Sequence, residues 1–184
     1  MWRSTQICFT TLLCCVAVGL GVGEAVAQNP ATKVSSADKM FMQEAAQGGA
    51  AEVQLGRLAV QKGSSEEVKQ FGQRMVDDHS RANDQLKALA QNKGIDVPSG
   101  LSAKDQAFAS KLEKLSGPQF DDAYMSLMVK DHKKDVAEFE KESKSAKDPQ
   151  VKQFATNTLP TLQEHLQLAE KIAPQQSSMR LQDH

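Results

Sequence analysis

The chain has 184 residues and a formal net charge of −1, so no strong field draws it to nucleic acid or to an anionic membrane surface. One Trp and one Tyr argue against an aromatic platform for stacking bases. Ala, Gln, Lys, Glu and Leu are plentiful and strand formers sparse, which favours helix, and the length suits one domain plus extensions.

Residues 1–27 read as a signal peptide. Arg3 supplies the positive n-region, Ile7 to Gly23 the apolar h-region, and Ala25-Val26-Ala27 an A-x-A cleavage site. That cleavage site argues against a retained transmembrane helix. Cys8, Cys14 and Cys15 all fall inside the leader, so the mature chain is expected to carry no disulfide and no thiolate. Leu13 and Cys14, which precede the second and third cysteines, are not the small residues that lipid acylation needs. The expected compartment is the periplasm of a Gram-negative bacterium, and nothing indicates outer-membrane association.

A polar lead-in, 28–35, precedes the first helix. Ser35 or Ser36 is its N-cap, with Asp38 in the capping-box position. Spacings of three and four put Phe41, Ala45, Gly48, Glu52, Leu55 and Ala59 on one face, ending near Lys62 with Gly63 at C′. Ser64 and Glu67 open a second helix, whose face is Val68, Phe71, Met75, His79, Ala82, Leu86 and Leu89; Gly94 ends it. So short a connection makes the pair an antiparallel hairpin. A long connection follows. Ser102 and Asp105 cap a short helix within it, reaching about Leu115 with Phe108 and Leu112 on one side. Such a connection can run the length of a bundle, the mark of ferritin-like rather than simple up-down topology.

Pro118 opens a third long helix, with Asp121 and Asp122 in the turn where the helix dipole favours acids. Its face is Phe120, Tyr124, Met128, His132, Val136 and Phe139. Asp148-Pro149 caps the last helix, with Val151, Ala155, Thr158, Leu162, His165, Ala169 and Ile172 inward. Pro160 is expected to bend that helix shortly before His165, which either aims the imidazole or only shapes packing. Pro174 is expected to end the helix, leaving 174–184 as a disordered tail.

Two copies of one phrase stand out. Phe71, Met75, Val76, Asp78 and His79 match Tyr124, Met128, Val129, Asp131 and His132. With His165 and Glu52, the histidines put one possible metal ligand on the inner face of each long helix, all near mid-bundle at about 1.5 Å per residue. Three imidazoles and a carboxylate suit one divalent transition ion, with Zn, Cu, Fe, Mn and Ni the candidates. The same residues could instead form a metal-free polar network, or some could face solvent. Met75 and Met128, one turn before the histidines, would suit copper as thioether ligands or simply fill the core. Asp78, Asp131 and Glu164 sit about 100° round from the histidines, so they are expected to serve a neighbouring helix or solvent. Tyr124 is either a hydrogen-bond donor to the site or a core residue. The Glu-x-x-His pairs of di-iron bundles are missing: Val76, Val129 and Leu162 occupy those positions. No nucleophile-elbow or phosphate-loop motif is present, so no catalytic residue and no reaction follow.

The runs A-E-V-Q-L-G-R-L-A (51–59), V-K-Q-F-G-Q-R-M-V-D-D-H-S-R-A-N-D-Q-L (68–86), F-D-D-A-Y-M-S-L-M-V-K-D-H (120–132) and F-A-T-N-T-L-P-T-L-Q-E-H-L (154–166) resemble the bacterial domain of unknown function 4142 family over about 36–173. The resemblance implies a ferritin-like fold and export. It places the family's characteristic positions on Glu52, His79, His132 and His165, and it brings no activity with it. The expectation is thus an exported, all-α, ferritin-like four-helix bundle over 36–173, with an extra short helix in its crossover. It would hold a metal for metal handling or envelope stress tolerance, or else serve as a metal-free structural or interaction module. No nucleic-acid partner and no membrane segment in the mature chain are expected; protein partners and oligomeric state do not follow.

Overall fold

The computed structural model describes residues 34–180, with side-chain surroundings through residue 173. The leader, and all but the last two residues of the expected lead-in, lie outside the described residues. Five helices follow in order: α1 (Ser36–Lys62), α2 (Glu66–Asn92), α3 (Ala103–Leu112), α4 (Gly117–Ser145) and α5 (Pro149–Arg180). Helix α1 packs on α2 and α4, and α5 packs on α4 and α2, so the four long helices close a bundle with α3 lying against α1 and α4.

Hydrogen bonds at the two ends establish the crossover. At one end the α1–α2 turn meets the start of α4: Ser64 and Ser65 donate their backbone N–H groups to Asp121 at 2.9 and 2.8 Å. At the other end Lys93, just past α2, donates from Nζ to Asp148 at the α4–α5 turn, 2.7 Å away. The end of α2 and the start of α4 are therefore at opposite ends of the bundle, and the intervening chain runs its length. Gln43 ties that connection down early, through the Asp96 carbonyl at 3.1 Å. Lys62 ties it down late, through the carbonyls of Glu113 and Leu115 at 2.6 and 3.3 Å. Helices α2 and α4 thus run parallel within antiparallel hairpins, as the ferritin-like expectation requires.

Local chemistry explains most boundaries. Ser35 accepts from Asp38 N–H, Ser102 from Asp105 N–H, and Asp148 from the N–H groups of Gln150 and Val151, so each is an N-cap. Gly94 and Gly117 take φ of 63° and 60°, where a side chain would be strained. Helix α2 is capped by Ser65, which accepts from Val68 N–H, one residue later than the pattern predicts. Ser64 turns away because its hydroxyl bonds Asp121 at 2.7 Å. Gly63 is the C-cap itself, with φ −57° rather than a left-handed value. The short helix stops at Leu112, not Leu115. Helix α5 is unbroken at Pro160 and continues past Pro174 to Arg180. A proline removes one N–H, but its fixed φ is itself helical, so the backbone can carry on.

Two acids expected to act on their own helices act across the bundle instead. Asp121 receives the α1–α2 turn, and Asp38 accepts from the N–H groups of Lys147 (3.2 Å) and Asp148 (2.8 Å) at the α4–α5 turn. Both are almost fully buried.

The interior falls into two apolar clusters. One, near the α1–α2 turn, includes Leu55, Phe71, Met75, Phe120, Tyr124 and Met128. The other, toward the α4–α5 turn, includes Phe41, Met42, Leu86, Phe139, Phe154 and Leu162. The buried face of α1 is wider than its predicted stripe, adding Met42, Ala46, Gly49 and Gly56, because α1 serves two neighbours. Backbones of α1 and α2 approach so closely that a Cβ on Gly56 would lie 2.6 Å from the Gly72 carbonyl.

Candidate metal centre

Between the two apolar clusters lies a layer of imidazoles. His79, His132 and His165 come from α2, α4 and α5, and each offers one ligand nitrogen within 4.8 Å of the others. Their ring centroids are 5.3–5.7 Å apart. The repeated phrase produces this convergence. Helices α2 and α4 run parallel, so matching positions on them come level, and α5 brings His165 from the opposite direction.

Hydrogen bonding determines which nitrogen is bare. His132 Nδ1 lies 2.9 Å from the Met128 carbonyl. A carbonyl only accepts, so Nδ1 carries the hydrogen and Nε2 presents a lone pair. His165 Nε2 lies 2.9 Å from Asp78 Oδ2, which assigns the hydrogen to Nε2 and leaves Nδ1 bare. His132 Nε2, His165 Nδ1 and His79 Nε2 are all buried without a hydrogen-bond partner. Three unsatisfied nitrogens in one buried layer are costly for a purely structural core, since buried polar atoms are ordinarily paired.

All three rings are held in the ligand-competent neutral form. Burial lowers the pKa of His79 well below the usual value, with His132 and His165 adding repulsion. Burial, with His165 nearby, takes His132 down to about 4. His165 is also lowered by burial, although the Asp78 hydrogen bond opposes the shift. Burial pushes Asp78 upward, but the His165 hydrogen bond and Arg74 outweigh it and hold the carboxyl below its usual value. Asp78 is therefore ionised. Arg74 at 3.3 Å and Arg81 at 3.2 Å grip it from outside, and Arg74 also reaches Glu164 at 2.6 Å. The aspartate of the phrase thus serves a histidine on a neighbouring helix, in the carboxylate–imidazole pairing that orients metal ligands. Its counterpart Asp131 does not repeat this: burial raises its pKa, with Lys104 opposing.

Glu52 is buried at 3 % exposure with Oε2 unpartnered, but it lies outside the three-histidine group. Its pKa is raised well above normal by burial, then by Asp135 and Asp131. The Tyr124 hydroxyl is also buried without a partner, and burial followed by Glu52 raises its pKa. Asp135, which the helical pattern did not single out, is pushed up to about 7, chiefly by burial.

These shifts have opposite consequences for the metal-free protein. Glu52 titrates above its ordinary 4.5 when folded, so its contribution is complete below 4.5 and is lost as pH rises toward the folded value. His132 titrates near 4 when folded and 6.5 when unfolded, so stability is lost as pH falls from 6.5 toward 4. Glu52→Gln is accordingly expected to be more stable than the unmodified protein in chelator at about pH 7, with the gain vanishing below about pH 4.5. Urea unfolding at the two pH values checks this.

Among the described residues, a groove and a cavity reach the layer. A groove of about 260 Å³ between α2 and α5 is lined by His79 and His165 with Gln85, Asn157, Thr158 and Thr161. A narrower cavity of about 50 Å³ extends from His79 toward Gly48 on α1 and Asp135 on α4. Among the described residues no helix is long and apolar enough to cross a membrane.

Solved structures share the fold. A DUF305 fragment from Deinococcus radiodurans aligns with TM-score 0.69 and 16 % identity, covering 78 % of this chain and 99 % of that one. A putative secreted DUF305 protein from Streptomyces coelicolor aligns with TM-score 0.65 and 15 % identity, covering 77 % and 94 %. CopM in its Cu(II)-bound form aligns with TM-score 0.64 and 15 % identity, covering 75 % and 96 %. No curated protein matches. The family model for the domain of unknown function DUF4142 matches residues 23–172, most of the chain, and the protein belongs to that family.

Proposed function

We propose that the protein binds one divalent transition-metal ion through His79 Nε2, His132 Nε2 and His165 Nδ1, and acts in metal handling outside the cytoplasm. The convergence of three buried imidazole nitrogens without hydrogen-bond partners, in rings held neutral, carries this reading. Imidazole suits copper, zinc, nickel and iron, and affinity among divalent ions rises toward Cu²⁺. Three nitrogens leave a tetrahedral ion one position short, which is filled by water or an incoming ligand. Glu52 supplies a buried acid that can ionise when a cation enters the core, offsetting its charge without belonging to the histidine set. The signal-like leader supports export, as does the fold shared with a protein described as secreted. The fold shared with a protein described in a Cu(II)-bound form agrees with a metal role.

Metal analysis of untagged protein purified from the periplasm tests the proposal. One ion per chain is expected, with a rise in Tm on adding Cu²⁺ or Zn²⁺. No bound metal, and no stabilisation by Cu²⁺, Zn²⁺, Ni²⁺, Fe²⁺ or Mn²⁺, would leave the metal-free packing module as the correct reading. Asp78→Asn is expected to weaken metal binding about 10–100-fold, the usual cost of losing an outer hydrogen-bond partner of a ligating histidine. Calorimetric titration of the variant against the unmodified protein measures it.

A further inference from the structure

The narrower cavity joins the histidine layer to a charged cluster that the metal reading leaves unexplained. Its inner end is lined by His79, whose buried Nε2 has no partner. Its lining from α1 and α4 includes Glu44, Lys134, Asp135 and Glu138, of which Glu44 and Lys134 are exposed and so mark the side that meets solvent. Glu138 already pairs with Lys134 at 3.0 Å and Asp135, pushed up to about 7, is only partly ionised at neutral pH, leaving Glu44 to set the sign of the mouth. The gap in the wall is at Gly48, where an added Cβ would meet nothing within 4 Å; at the adjacent Gly49 it would lie 2.2 Å from the Asn83 side chain. The wider groove between α2 and α5 has a different character. Its charged groups are Asp78 and Arg81, which pair with each other at 3.2 Å, and its remaining polar lining is neutral: the two imidazoles of His79 and His165, with amides and hydroxyls.

We infer that divalent cations reach the trihistidine centre through the acidic mouth between α1 and α4, passing Gly48 to His79. The inference rests on the metal reading above and adds the route of loading. Carboxylates at a narrow mouth with low-dielectric walls concentrate cations and raise their entry rate, while a neutral groove has no such preference. About 50 Å³ of space suits an ion that has shed most of its water, and a single water needs only about 10–15 Å³ by the same kind of measure. A glycine on the wall keeps the passage open at some cost to helix propensity, which a side chain would recover.

Gly48→Leu is the informative variant, because the new side chain enters open space and favours helix, so the bundle is expected to fold. Zn²⁺ uptake by the metal-free mature chain would be followed by competition with a chromogenic chelator, alongside equilibrium affinity. Loading is expected to slow about 10-fold or more in G48L, with affinity unchanged within about threefold. Glu44→Gln combined with Glu138→Gln should slow loading and flatten its dependence on salt. Unaltered loading in G48L, with slowing instead in Thr161→Trp at the α2–α5 groove, would overturn this route while leaving the site intact. Failure of the unmodified protein to bind Zn²⁺ at equilibrium would overturn the site and the route together.

Discussion

Replacing His132 with Ala is expected to abolish the metal-dependent rise in Tm. An ion present at about 100 times its Kd stabilises a folded protein by about 2.7 kcal/mol. Loss of one of three ligands should weaken binding by more than the roughly 10–100-fold cost of losing a second-shell partner, which removes the increment at the same ion concentration. The readout must be the difference in Tm with and without metal. His132 is fully buried, so truncation also leaves a cavity and lowers the stability of the metal-free form. If the layer were only a packing device, the metal-free Tm would fall and the metal increment would be zero in both proteins. His79→Ala and His165→Ala should repeat the loss. Glu52→Gln should keep most of the metal-dependent rise, since Glu52 lies outside the histidine group.

The second large effect is expected far from the histidine layer. Asp121→Ala removes an acceptor shared by the backbone N–H groups of Ser64 and Ser65 and the hydroxyl of Ser64. Asp38→Ala does the same to Lys147 and Asp148 at the opposite end. Each hydrogen bond to a carboxylate is worth about 1.5–3 kcal/mol, and water replaces part of that at the exposed Ser64 and Lys147, so about 3 kcal/mol is expected for each variant. In a domain of this size that corresponds to a fall in Tm of about 10 °C. Asp77→Ala, on the exposed face of α2, is expected to stay within about 0.5 kcal/mol and serves as the control. Equal behaviour of all three variants in thermal unfolding would sink the idea that these acids pin one hairpin to the other.

Acid should weaken the ends of the bundle as well as its histidine layer. Burial pushes Asp148 upward, but its hydrogen bond from Lys93, the N–H bonds from Val151 and Gln150, and the Lys93 charge outweigh burial and hold the carboxyl below normal. A carboxylate depressed in the folded state gives stability that is complete above its unfolded pKa and lost as pH falls through the folded value. Lys93→Met should therefore flatten the acid limb of the stability profile below about pH 4.

Periodicity alone determined much of this protein. The four long helices, their N-caps at Ser35 and Asp148, and the inward placement of Phe71, Tyr124, Met128 and the three histidines all follow from steps of three and four residues. Such steps are local, set by 3.6 residues per turn, and need no knowledge of neighbours. The crossover was also legible, because its length nearly matches that of α2. Tertiary structure decided everything that depends on which helix lies beside which. Asp38 and Asp121 look like ordinary first-turn acids, yet each caps the turn of the opposite hairpin. Asp78 and Asp131 occupy the same place in the repeated phrase, yet only Asp78 meets a histidine, because α2 borders α5 in line with His165. Glu52 shares the inward face and the approximate depth of the histidines, yet stands outside their group. A count of residues along an axis fixes height to about a turn and says nothing of the direction in which a long side chain leans. The bare nitrogens are likewise a product of packing: tautomers at His132 and His165 are assigned by the Met128 carbonyl and the Asp78 carboxylate, partners that only the folded bundle supplies.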